Sequence, residues 1–154
     1  MAVRIKVTVA YDGSRFAGWQ IQPNADTIQA RIEEALALIA KVPVRVHGSG
    51  RTDAGVHSIG QVAHFDAPAE LTMNPVNWLA ALNTKLPATI RVLECDEVPA
   101  DFHARFSASS KTYTYELSTS PVLPPFQASR AWHLPRQLDP VTLEQALALF
   151  EGRH

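Results

Sequence analysis

Cysteine is almost absent. Cys95 stands alone among 154 residues, so no disulfide can form within the chain, and a reducing cytoplasm fits that usage. Long apolar runs are missing too. No stretch approaches the roughly 20 residues of a membrane span, so no membrane partner is expected. Residues 1–10 alternate charged and apolar side chains in place of the continuous apolar centre of a secretion signal. A strong charge of either sign is also lacking: 14 Lys and Arg stand against 15 Asp and Glu, a net charge of -1. A typical nucleic-acid binder is more basic, so such a partner would need a local basic face. Ten of the 14 basic residues are Arg, the side chain suited to bidentate phosphate contacts and base stacking. Arg4, Lys6 and Arg15 outnumber Asp12 near the start, while Glu94, Asp96, Glu97 and Asp101 are acidic neighbours. Scattered solvated charges fit the same counts. None of the six histidines makes a close metal-ligand pair, and no metal is expected.

What is present is an ordinary globular composition, 46% apolar and 19% charged, in a length that suits one domain with a core. Val3, Ile5, Val7 and Val9 alternate with polar or small residues, the pattern of a half-buried strand. Residues 11–25 carry Gly13, Gly18, Pro23 and Asn24 and predict a loop. Asp26, with Gln29 three positions on, predicts a capped helix whose apolar face is Ile28, Ile32, Leu36 and Ile39. Val44 and Val46 suggest a second strand and 61–65 a third. Asn74-Pro75 reads as a cap and first helical residue. Val76, Leu79, Ala80 and Ala81 carry that helix, and 90–95 is a fourth strand. The order βαββαβ predicts an α+β fold, a ferredoxin-like antiparallel sheet with helices on one face. Residues 113–117 read as a further strand with Tyr113, Tyr115 and Leu117 on one face. The Pro-rich stretch 119–138 reads as extended and irregular, and Asp139-Pro140 opens a last helix that Gly152 could end. The division expected is 1–118 for the ferredoxin-like domain, 119–138 for a connection and 139–154 for the final helix. That helix has an apolar face with no later element to cover it. It packs on the sheet or begins a further half.

The chemistry concentrates in residues 48–58, Gly-Ser-Gly-Arg-Thr-Asp-Ala-Gly-Val-His-Ser. Gly50 and Gly55 remove side-chain bulk, so a backbone or ligand can approach closely. Arg51, two residues from Asp53, would hold the carboxylate ionised, as a nucleophile needs. A tight surface turn with a local Asp–Arg pair accounts for the same residues. The loop is no P-loop, having no lysine, and it opens no dinucleotide-binding helix. His57 can touch a substrate or help fix the loop. His64, in an alternating strand, reads as a satisfied structural side chain. Tyr113 and Tyr115 follow the basic stretch from Arg105 to Lys111. An aromatic beside cations can stack on a nucleobase, and it can equally fill the core.

Four blocks in order carry a resemblance: Tyr11-Asp-Gly-Ser-Arg-Phe-Ala-Gly-Trp-Gln20, Gly50-Arg-Thr-Asp-Ala-Gly-Val-His57, Gly60-Gln-Val-Ala-His-Phe65, and Asp101-Phe-His-Ala-Arg-Phe-Ser-Ala108 running into Lys111-Thr-Tyr-Thr-Tyr115. Together they resemble the tRNA pseudouridine synthase A family. The resemblance implies an enzyme that isomerises uridine to pseudouridine in the anticodon stem-loop of tRNA, without a cofactor. Asp53 matches the family's essential aspartate. Arg51 matches an arginine that pairs with it and fills the space of the flipped nucleotide. Tyr113 matches a tyrosine that stacks on the target base and can move a proton. Gly50, Thr52, Gly55, His57, Arg105, Lys111 and Arg15 are the expected substrate contacts. The family's members continue into a second half and are expected to form homodimers. This chain is therefore expected to be an N-terminal portion, inactive or nearly so alone and prone to self-association. A non-catalytic RNA-binding or dimerising fragment is the alternative.

Overall fold

Ile5, Val7, Val9 and Tyr11 are buried while the residues between them are half-covered, so the first strand shows one face to a core and the other towards solvent. A computed structural model describes residues 3–153 of the chain. They form two compact units, Met1–Lys111 and Thr112–His154.

The first unit runs β1 (Val3–Tyr11), α1 (Ile28–Ala40), β2 (His47–Gly48), β3 (Ser58–Ala67), α2 (Pro75–Lys85) and β4 (Ile90–Val98). The sheet order is β2-β3-β1-β4, antiparallel throughout, which is the expected ferredoxin-like α+β arrangement. β1 is central. Val7 faces Ala63 on one side and Cys95 on the other. The register against β4 shifts between Thr8 and Val9, and Leu93 is the extra residue. Ile28, Ile32, Ala35 and Leu36 of α1 and Trp78 and Leu82 of α2 close over the Ile5–Val9–Phe65 face in one apolar cluster. Each fully buried large aliphatic side chain contributes roughly 1.5–3 kcal/mol.

Several expected details differ. Thr27, not Asp26, caps α1, its hydroxyl accepting from the Ala30 N–H at 3.4 Å. Thr27 is fully buried, whereas Asp26 is drawn into a two-point ion pair with Arg31 at 2.7 and 2.8 Å. Gln29, read as the other half of a capping box, instead accepts from Ile21 N–H and donates to the Val46 carbonyl. β2 is two residues long and follows Val44 and Val46, which are buried outside any strand. Asn74 and Pro75 open α2 as expected, with the Asn74 side chain accepting from Asn77 N–H at 2.8 Å. The buried residues of α2 are Trp78 and Leu82, while Val76 is exposed.

In the second unit the strand expected at 113–117 is confined to β5 (Glu116–Ser118), so Tyr113 and Tyr115 stand before it. The stretch 119–138 is not irregular throughout. A single 3-10 turn at Pro125–Gln127 returns the chain to β6 (Ala131–His133), which pairs with β5 in parallel. Asp139 caps α3 (Pro140–Ala148), accepting from Val141 and Thr142 N–H at 3.2 Å each. The helix ends at Leu149, before Gly152, and has no buried residue. Among the described residues no helix is long and apolar enough to cross a membrane.

Candidate active site in the loop after β2

The loop between β2 and β3 does not stand free. Segment 12–19, which leaves β1, runs alongside it and supplies its bracing. Trp19 N–H donates to the Thr52 carbonyl at 3.0 Å, and Gly55 N–H donates to the Phe16 carbonyl at 3.2 Å. The Tyr11 and Thr52 hydroxyls are hydrogen-bonded at 2.9 Å. Ser49 N–H donates to the Val62 carbonyl, and the Gln61 side-chain amide donates to the Gly50 carbonyl at 2.6 Å. Two glycines allow this close approach. A Cβ at Gly13 would collide with the Val56 carbonyl oxygen, and one at Gly18 with the Thr52 carbonyl oxygen. Gly18 also has φ +95°, where L side chains are strained. The Tyr11–Gln20 motif is thus the cradle of the Gly50–His57 motif.

Within that frame the loop turns at Gly55, with φ +81°, and exposes Arg51 and Asp53. The Asp53 main-chain carbonyl accepts from Val56 N–H at 3.2 Å. Among the described residues no ion pair joins Arg51 to Asp53, so the local pair that both readings of the sequence invoked is not formed here. His57 is half-buried, its Nδ1 lying 3.3 Å from Gly13 N and 3.2 Å from the Asp12 carboxylate. It ties the loop to the turn after β1. Lys111 comes from the far end of the first unit and lays its side chain over Gly50.

The other expected site residues are placed differently. Arg15 is exposed at the last position of the short turn Gly13–Arg15. Arg105 is exposed with its guanidinium 5.8 Å from the centre of the Phe106 ring. Among the described residues no hydrogen bond or ion pair links either arginine to the loop. Tyr113 belongs to the second unit, outside a strand, and is 66% exposed.

One grouping was not read from the sequence. His64 is buried on the sheet face away from the helices, stacked on His47 at 5.0 Å and edge-on to His103 at 4.7 Å. Its Nδ1 accepts the Ala104 N–H at 3.2 Å, so it is the satisfied structural side chain expected. Burial, with the positive charge of Arg4 and the two neighbouring imidazoles, pushes its pKa down to about 4. Arg4 donates to the Ala100 and Phe102 carbonyls and pairs with Asp66 through two nitrogens. Arg4 and His64 therefore clamp the 99–107 turn onto the sheet. A histidine in β3 and a His-bearing motif forty residues later were the available signal, but nothing in one sequence joins them. Among the described residues no group of His, Cys, Asp or Glu is arranged to hold a metal ion.

The sheet is ferredoxin-like, and its braced glycine-rich loop leaves the Asp53 side chain exposed. A family profile described as tRNA pseudouridine synthase matches residues 7–107, and the chain belongs to that family. It is 51% identical over 151 residues to the tRNA pseudouridine synthase A of Akkermansia muciniphila, covering 98% of this chain and 57% of that protein. The namesake proteins of Methylacidiphilum infernorum and Bacillus pumilus are 49% and 45% identical, each over 99% of this chain, and 59% and 62% of their own lengths are covered. The chain thus spans somewhat over half the length of these relatives.

Proposed function

We propose that this chain carries the catalytic carboxylate of an isomerase that converts uridine to pseudouridine in the anticodon stem-loop of tRNA. In that reaction the bond from ribose C1′ to N1 of the base breaks and the base turns. C1′ then bonds to C5, the C5 proton is lost and N1 gains one. Atoms balance within one nucleotide, so no external group is required. Asp53 attacks the sugar or the base and departs, or stabilises the positive charge that develops. Arg51 occupies the space of the flipped nucleotide, and Tyr113 stacks on the target base and moves a proton. The observation that carries the reading is the Asp53 carboxylate itself, exposed on a loop whose backbone is pinned on three sides. Cytoplasmic location and a homodimer complete the proposal.

The test is pseudouridine formation in a uridine-containing tRNA stem-loop by a parent protein in which this chain is joined to the remaining length of a relative, because the chain alone is expected to be inactive or nearly so, and by the Asp53→Ala variant of that parent. Product from the parent and none from an equally folded variant is expected. Equal product from both would sink the assignment. A second reading, an RNA-binding or self-associating module without turnover, draws on the exposed Val122, Phe126, Trp132 and Phe150 of the second unit. Stem-loop binding by the parent without product, with concentration-dependent association in light scattering, would favour it over the first.

A further inference from the structure

Gly50 lacks a side chain for a reason that backbone conformation does not supply. Gly18 and Gly55 in the same assembly have left-handed φ, whereas Gly50 does not. The three nearest atoms that a Cβ at Gly50 would meet all belong to Lys111: its ammonium at 3.1 Å, Cε at 3.6 Å and Cδ at 3.9 Å. The empty space over Gly50 is filled by the end of the Lys111 side chain.

That lysine is exposed, and among the described residues no counter-ion holds it. In the first unit Arg4 pairs with Asp66, Lys6 with Asp96, Arg31 with Asp26 and Glu34, and Arg45 with Glu33, while among the described residues Arg15, Lys41, Lys85, Arg91 and Arg105, which lie away from Gly50 in the sequence, have no acidic partner. Lys111 and the neighbouring Arg51 have no acidic partner among the described residues. Two cations beside one loop, both without a partner, have their field open to a ligand. A ligand that meets both cations favourably is one that brings negative charge.

We infer that Lys111, seated over Gly50, binds a backbone phosphate of the RNA next to the nucleotide that Asp53 addresses. The inference rests on the proposed function and names the group recognised. Residues 50 and 53 are at most roughly 11 Å apart along the chain, so a phosphate held at Gly50 lies within a nucleotide or two of the carboxylate. Phosphate contacts set register and orientation without reading sequence. Lys111 is thus a positioning residue, and Gly50 is glycine to keep its seat open.

The experiment measures binding of a uridine-containing RNA stem-loop to the folded chain across a series of salt concentrations. The variants are Lys111→Gln, Lys111→Arg, Gly50→Ala and the Gly50→Ala/Lys111→Gln pair. Neutralising one phosphate contact should lower the slope of log K against log salt by about one. Lys111→Gln should show that loss and Lys111→Arg should retain most of the slope. Gly50→Ala should weaken binding in the parent, yet add almost nothing in the Lys111→Gln background, because its effect passes through the lysine. If the parent binds and Lys111→Gln keeps the full slope, the phosphate contact is wrong and the proposed function stands. If the two substitutions add independently, the seat over Gly50 is not the cause and the inference fails. If the parent shows no salt-dependent RNA binding at all, both fall.

Discussion

Arg4 and Lys6 on the sheet face and Arg51 and Lys111 at the loop are the same chemistry in opposite states. The first pair is consumed by the fold: Arg4 satisfies Asp66 and two carbonyls, and Lys6 meets Asp96 at 3.0 Å. Among the described residues the second pair has no acidic partner, although Asp53 lies two residues from Arg51. The backbone of the loop is itself tied: Trp19 N–H and the Gln61 amide donate to its carbonyls, and Gly55 N–H donates to Phe16. Strength of scaffold and satisfaction of charge have been separated. A protein spends polar side chains on itself where it needs stability, and leaves them open where it needs a ligand.

The largest break in this comparison should come from the scaffold. Gly13→Ala places a methyl group against the Val56 carbonyl oxygen and forces segment 12–19 off the loop. A loss of about 3 kcal/mol is expected in denaturant unfolding, from overpacking where backbone must yield. A variant as stable as the parent would show that the cradle is not rigid.

Next comes acid. The unfolded His64 imidazole takes up a proton near pH 6.5, the folded one near 4. The folded pKa is depressed, so its neutral-state stability is whole above pH 6.5 and is lost as pH falls towards 4. Below that both states are protonated and the loss levels off. The loss should be on the order of 3 kcal/mol, and His64→Gln should flatten this part of the pH–stability curve. The Asp26 and Asp66 carboxyls, held below their usual range by hydrogen bonds from Arg31 and Arg4, add a separate decline only below about pH 4. A parent curve flat between pH 6.5 and 4 would remove the clamp assigned to His64.

A smaller effect sharpens the contrast between the cations. Arg4→Gln removes charge-assisted bonds to two carbonyls and should cost about 1–2 kcal/mol. Arg51→Gln and Lys111→Gln should each change thermal stability by less than about 0.5 kcal/mol, since no internal partner is stranded. If the loop variants cost as much as Arg4→Gln, their charges are structural.

Legibility in the sequence followed the range of the interactions. β1 was readable because alternation is local, and Asn74-Pro75 because cap and first helical residue adjoin. Asp26 misled because two capping side chains stand side by side, and only the Arg31 pair and the burial of Thr27 decide between them. The strand drawn through Tyr113 began too early because a partner strand, fifteen residues away in register, sets the length of β5. The aspartate loop stood out through its glycines and its family motif. Its cradle did not, because Gly13 and Gly18 look like ordinary turn residues until Val56 and Thr52 are set against them. Lys111 was expected to meet substrate, but its seat over Gly50 depends on a contact across sixty-one residues.

The contact of Gly13 with Val56 also fixes where distortion must occur. Under the proposed function, a loop tied to the segment that leaves the central strand has little freedom to close over an RNA, because closing would pull on that segment. A base stacked within a helix would then have to come out to meet the acid, and the work of that excursion would fall on the nucleic acid. Unpaired or weakly stacked nucleotides would be favoured before any of their edges had been read.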